Sequence, residues 1–228
     1  MKRLIQLLLP IIICSQLFAI AGFGLQMGQS TFSVKESFPD MSVPGVALTN
    51  GAFDNADNIG GYLYIDILPV IDLEVDFNVK WNKYDILFSN NFGSMEPINF
   101  GWASSDVYFT VRKKIIGIGI PFLAKAKLFA GGGYNTHLST PLANEQMVTE
   151  LLGGDIDGDV SNLDKTLEDY MTNEDNYISS SGFHLQGGLQ FKLLMIDSFL
   201  FYRQVFVEDV IPNAKGFGSL NLRLGMGI

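Results

Sequence analysis

Residues 71–82 alternate without exception: Ile71, Leu73, Val75, Phe77, Val79 and Trp81 interleave with Asp72, Glu74, Asp76, Asn78, Lys80 and Asn82. A strand sends successive side chains to opposite faces, so this segment has one wholly apolar face and one wholly polar face. A helix would scatter both sets around its circumference. Twelve residues exceed the usual strand of about five or six, and suit a tilted crossing of a bilayer. The pattern recurs. Phe183, Leu185, Leu189, Phe191 and Leu193 oppose His184, Gln186, Gln190 and Lys192, and Leu220, Leu222, Leu224, Met226 and Ile228 oppose Asn221, Arg223, Gly225 and Gly227. Period-two reading predicts eight strands, at 22–34, 59–68, 71–84, 104–114, 122–134, 182–193, 197–208 and 217–228.

The connections alternate too. Long segments (35–58, 85–103, 135–181 and the moderate 209–216) separate tight ones near Pro69, Gly117–Pro121 and Met195–Asp197. Long loops therefore gather at one end of the sheet, and tight turns and both termini at the other. A soluble barrel buries its apolar face, whereas a membrane barrel turns it to lipid and keeps a polar interior. Three features favour the membrane arrangement. Acids on 71–82 find an opposite-sign set in Arg112, Lys114, Lys125 and Lys127, with Thr110, fit for an internal ion-pair lattice. Small residues (Gly188, Gly225, Gly227) share the polar face, as a narrow lumen requires. Trp81, Tyr84, Phe88, Phe100, Trp102, Tyr134 and Phe183 gather near the loop ends, as an interfacial girdle would. On this reading Phe77→Arg, facing lipid, costs more than Asn78→Arg, facing the lumen.

The fold class expected is all-β: an eight-stranded antiparallel up-and-down transmembrane β-barrel, residues 22–228, behind a signal peptide, 1–21. Lys2 and Arg3 precede an apolar run that is too short to span a bilayer, and Ala19-Ile20-Ala21 offers a cleavage site before Gly22. Cys14 lies inside that signal and is the chain's single cysteine, so the mature chain has no thiol chemistry. The 207 residues after the signal carry 13 Lys+Arg and 24 Asp+Glu, a net −11 without a basic cluster of the kind nucleic acid needs.

With its export signal, alternating loop lengths and a last strand ending on the final residue, the chain resembles the small eight-stranded outer-membrane barrels related to the transmembrane domain of OmpA and to OmpX. That family usually ends in an aromatic, where this chain has Leu224-Gly225-Met226-Gly227-Ile228. The resemblance implies an outer-membrane location in a Gram-negative-type bacterium, with outer-membrane lipid and the barrel-assembly machinery as partners. It implies no particular activity.

Residues 135–181 hold ten acids and one cation, Lys165, a net −9. Thr140 and Pro141 suit a helix start ahead of the stripe Met147, Val148, Leu151 and Leu152, which Gly153-Gly154 ends. Ser161 and Asp164 open a second, with Leu163, Leu167, Tyr170 and Met171 on one side. Short helices in an extracellular loop are thus expected to cover the barrel mouth. Between them Asp155, Asp157 and Asp159 place three carboxylates at alternate positions, a candidate Ca²⁺ site that lacks EF-hand spacing, against a solvated acidic turn. His137-Leu138-Ser139 is similar to the His-x-Ser pair of outer-membrane lipid A deacylases, without an acid obviously beside it. No residue is assigned to catalysis. Three functions remain: a non-enzymatic barrel with acidic surface loops in adhesion or envelope stability; a barrel binding or passing a small hydrophobic molecule beneath a helical lid; and a membrane-surface lipid hydrolase using His137 and Ser139.

Overall fold

The computed structural model describes residues 20–37, 46–66, 71–91, 93, 94, 96–120, 123–154, 170 and 173–227. In chain order the strands are β1 (Ile20–Val34), β2 (Ala47–Asn50), β3 (Phe53–Asp66), β4 (Asp72–Asn90), β5 (Gly93–Ser94), β6 (Ile98–Ile120), β7 (Ala124–Ser139), β8 (Ile178–Leu193), β9 (Ile196–Phe206) and β10 (Phe217–Gly227). Eight of them close a ring, each antiparallel to its neighbours and β10 returning to β1. The two short strands, β2 and β5, pair with the outer end of β4.

The register fixes the barrel's shape. Ala21 pairs with Ile65, Ile65 with Leu73, Leu73 with Val111 and Val111 with Gly132; Gly132 pairs with Leu185, Leu185 with Gln204, Gln204 with Gly218 and Gly218 with Thr31. One circuit thus returns to β1 ten residues from its start, at Thr31 instead of Ala21. A shear of that size over eight strands tilts each strand by about 40°, within the range of closed barrels. Each residue then rises about 2.5 Å along the axis.

The membrane orientation holds for the lower barrel. On β4, Asp72, Glu74, Asp76, Asn78 and Lys80 are buried in the lumen, while Leu73, Val75, Phe77 and Trp81 are exposed on the outer wall. From Leu73 to Trp81 the outer wall runs about 20 Å along the axis, near the ~25 Å apolar band of membrane barrels. Phe23, Leu25, Phe109, Leu200, Leu220 and Leu224 continue it around the ring.

Two expectations change. The strands run further up than the alternation indicated, to Asn90 on β4, from Ile98 on β6, and across Ser139 to Ile178 between β7 and β8. Much of what reads as loop is wall, and the long acidic connection is 140–177. The girdle also divides. Trp81, Tyr134 and Phe183 lie on the outside, but Tyr84, Phe88, Phe100 and Trp102 are buried at 4% exposure or less. They point inward because side-chain parity does not change along a strand.

Candidate functional site

Among the described residues charged side chains converge in the lumen, which is built in layers. Lowest are the aromatic rings of Tyr62, Tyr64, Phe129, Phe199 and Phe201, which pack together from β3, β7 and β9. Glycines make room: a Cβ at Gly22 would run into the Tyr64 ring, and one at Gly225 into the Tyr62 hydroxyl. Tyr64 donates to Asp197, which also accepts from Gln190 Nε2 at 3.0 Å.

Above the rings sits the ionic layer. Arg203 on β9 reaches β4, the strand diametrically opposite, and binds both oxygens of Asp76 at 2.9 and 2.8 Å. Arg223 on β10 meets Asp76 at 2.7 Å and Glu74 at 2.8 Å, and donates to Gln26. Arg112 on β6 spans Asp72 at 2.9 Å and Glu74 at 3.2 Å. Gln186 bridges Arg203 and Glu74. The guanidinium faces lie on aromatic rings, with Arg203 at 3.9 Å from the Tyr108 centroid and Arg112 at 4.9 Å from those of Phe129 and Phe199. Three arginines and three carboxylates cancel, and Lys80 with Asp106, Lys127 with Asp66 and Lys192 with Asp197 add three more balanced pairs. Such a lattice exists because each buried charge would be very costly without its partner.

Lys114 and Lys125 do not join it, contrary to the expectation from their parity. Both keep the inward parity, Lys114 opposite Phe129 and Lys125 four residues before it on β7, but they lie past the last β4–β6 pair, Asp72 with Arg112, and are exposed. Side chains pack the lumen at this level. Asn78 is 2% exposed, accepts from Gln26 at 2.6 Å and donates to Asp76 at 2.9 Å, so an arginine at that position would have to enter a filled layer.

His137 and Ser139 belong to the next layer up. His137 Nδ1 lies 2.6 Å from Asp106, so an acid does stand beside it, supplied by β6 rather than by sequence neighbours. Its Nε2 faces Asn135 Oδ1 at 2.8 Å instead of the serine. Asp106 also holds Lys80 at 2.7 Å. Both His137 and Ser139 face the lumen at 2% and 1% exposure, away from the lipid face where an acyl chain would arrive. His184 is likewise a lumen residue, 2.9 Å from Thr110 Oγ1.

An apolar plug closes the mouth. Helix α1 (Glu145–Leu151) lays Met147, Val148 and Leu151 on Tyr84, Phe88, Phe100, Trp102, Val205 and Phe217, with Leu152 and Tyr170 alongside. The stripe is the one expected, but its N-cap is Asn144, which accepts from the Met147 amide at 2.9 Å. Thr140 instead pins the end of β7 to β6, exchanging hydrogen bonds with the backbone of Ala103. Gly153 and Gly154 end the helix at φ of 77° and 93°, as glycine permits. Tyr84 fastens the incoming chain by accepting from the Ala143 amide at 3.0 Å, and Asn50 donates to the Ala143 carbonyl at 2.8 Å. Asp155, Asp157 and Asp159 and the second stripe apart from Tyr170 lie outside the described residues.

No protein-family model matches the sequence, and no curated protein is similar to it in sequence. Among solved structures it is similar to OprG from Pseudomonas aeruginosa, at 10% identity over 91% of this chain and 93% of that one, TM-score 0.48. It is also similar to Neisserial surface protein A, at 10% identity over 92% and 96%, TM-score 0.45. Another is Ail of Yersinia pestis, solved in complex with the heparin analogue sucrose octasulfate, at 12% identity over 91% and 99%, TM-score 0.43. By its own register and burial, this chain is an eight-stranded antiparallel β-barrel with an apolar outer belt and a charged, filled interior.

Proposed function

We propose that the protein is a non-enzymatic barrel of a Gram-negative-type outer membrane, closed to solutes, that presents acidic loops outside the cell in adhesion or envelope stability. The observation that carries this is the diameter-spanning lattice of Arg203, Arg223, Asp76 and Glu74 beneath a second, apolar closure. Ten acids in 135–181 make the outer face unsuited to a sulfated polyanion such as that in the Ail complex. The test is solute flux through reconstituted vesicles together with cell fractionation. The expected result is an outer-membrane protein that migrates differently unheated in detergent and admits no sugar. Rapid swelling of vesicles in small sugars would overturn the closed reading, and recovery without detergent would overturn the membrane one.

The apolar bed beneath α1 favours a second reading, in which the helix lifts and a small hydrophobic molecule takes its place. Deleting 140–177 then increases uptake of an apolar dye by cells. Unchanged uptake removes that reading.

A further inference from the structure

We infer that Asn50 and Gly51 form a self-modifying site controlled by the plug: when α1 lifts, Asn50 loses ammonia and becomes an acid that keeps the plug from seating again. Asn50 ends β2, and with Gly51 it makes the only Asn-Gly pair in the sequence. Such a pair ordinarily forms a hairpin turn with positive φ. Here β2 and β3 both pair with β4 instead of with each other, and neither Asn50 nor Gly51 has a positive φ. Each residue has another task. Gly51 lies so close to β4 that a Cβ would meet the Asp85 carbonyl oxygen at 3.1 Å, and Asn50 holds the plug.

The backbone here is fixed, and the side chain is not. The Ser37 amide donates to the Asn50 carbonyl at 2.9 Å, and Ser37 Oγ accepts from the Asn50 amide at 2.8 Å. The Gly51 amide donates to the Asp85 carbonyl at 2.7 Å. The Asn50 side chain is 8% exposed, yet it makes a single hydrogen bond among the described residues, from Nδ2 to the Ala143 carbonyl at 2.8 Å. Its Oδ1 has no partner among them. Ala143 leads into α1 through the N-cap, Asn144. The plug is therefore the tether of this side chain, and lifting the plug frees it to turn onto the nitrogen that follows it.

Asparagine is thermally labile, and most so before glycine, whose missing side chain leaves its amide nitrogen open to approach. Once the Ala143 bond is lost, the Gly51 nitrogen closes on the Asn50 side-chain carbonyl carbon. A C–N bond forms, the bond from that carbon to Nδ2 breaks, and ammonia leaves with the Gly51 proton, giving a five-membered succinimide. Water then opens the ring to aspartate or isoaspartate, and nothing is oxidised or reduced. The aspartate sets a carboxylate oxygen against the Ala143 carbonyl where an N–H donor had been, and places a charge opposite Ile86 on β4. Two acceptors then face each other without a donor, and a buried charge without a partner is costly. Each opening long enough to react is written into the covalent chain.

The refolded barrel is held in mildly alkaline buffer, and ammonia loss at Asn50 is followed by mass mapping of the peptide that contains it. The same chain in urea supplies the rate of the untethered pair. Folded wild type should react more than tenfold more slowly than the unfolded chain, because only the lifted fraction reacts. Met147→Ala should speed the folded reaction about thirtyfold over wild type, the factor by which loss of that side chain raises the lifted population. It should leave the rate in urea unchanged. Asn50→Gln, which would have to close a six-membered ring, should show no mass change there. Asn50→Asp, scored as folded by heat-modifiable migration, should raise amide exchange across 140–154 about tenfold or more, with β4 below Lys80 unchanged. A folded wild type that reacts as fast as the unfolded chain overturns the inference. So does Met147→Ala reacting no faster than wild type, which would assign the protection to the β2–β4 pairing. A folded Asn50→Asp with wild-type exchange across 140–154 overturns the block on reseating.

Discussion

Strand β4 carries two barrels end to end. From Asp72 to Lys80 its buried side chains are charged or amide, and its exposed ones are Leu73, Val75 and Phe77. From Tyr84 to Phe88 the buried ones are Tyr84, Ile86 and Phe88, and Lys83 and Asp85 are among those facing out. Even numbers point inward throughout, so the backbone does not change; the chemistry changes places. β6 does the same in reverse, with Phe100 and Trp102 inside above and Asp106, Thr110 and Arg112 inside below. The contrast shows that a barrel's interior answers to the solvent outside its wall. Where lipid covers the wall, apolar side chains face out and charges must satisfy one another within. Where water covers it, the interior is an ordinary hydrophobic core, and each fully buried large side chain there contributes about 1.5–3 kcal/mol. The changeover lies at Asn82, whose amide donates to the carbonyls of Asp54 at 2.8 Å and Asn55 at 2.6 Å.

The contrast breaks most severely at Arg203. Arg203→Met leaves Asp76 and Glu74 with an excess of buried negative charge, and should cost about 3–5 kcal/mol of stability in vesicle unfolding by urea. A change below 1 kcal/mol would mean that the lattice is hydrated. Next is the pair Phe77→Arg and Leu87→Arg, on one strand and one face, below and above the changeover. The first should cost roughly 2–4 kcal/mol. The second should stay within about 0.5 kcal/mol, as at a wet surface. Equal costs would put lipid along the whole wall. Smallest is Met147→Ala, which removes a core side chain of the plug alone. About 2 kcal/mol should be lost from local protection of 140–154, read by amide exchange, with little change at β4 below Lys80. Uniform loss down the barrel would show that plug and lattice unfold as one body.

The lower barrel was legible in the sequence because lipid imposes a single rule on every strand that crosses it. The run from Ile71 to Asn82 states that rule without an exception, and the antiparallel ring follows from turns and parity. The mouth was not legible by the same rule. Tyr84, Phe88, Phe100 and Trp102 sit where a girdle belongs in linear position, and only continuous parity from Asp76 onward reveals that they turn inward. That signal was present: even spacing from Asp72 to Phe88 is unbroken. The Asp106–His137 contact had no comparable signal, because it depends on the β6–β7 register. Parity does place Lys114 and Lys125 on the inner face; the sequence did not show that β6 and β7 run on past the last β4–β6 pair, Asp72 with Arg112, where both are exposed. The stripe on α1 was readable from its spacing, whereas its cap depended on Tyr84 and Ala103 holding the preceding segment extended.

The lattice has a kinetic side as well. Its contacts join residues far apart along the chain: Arg203 and Asp76 are 127 apart, Arg223 and Asp76 147, and Arg223 and Gln26 197. A partly assembled sheet that already displays Glu74 and Asp76 in the bilayer lacks the guanidiniums of β9 and β10 that neutralise them. Insertion of the early strands alone is therefore opposed by uncompensated charge, and the opposition lifts only when the last strand arrives beside the first. Long-range pairing of this kind is slow. It also makes entry all-or-none, so Arg223, five residues before Ile228, acts as the latch of the closing seam.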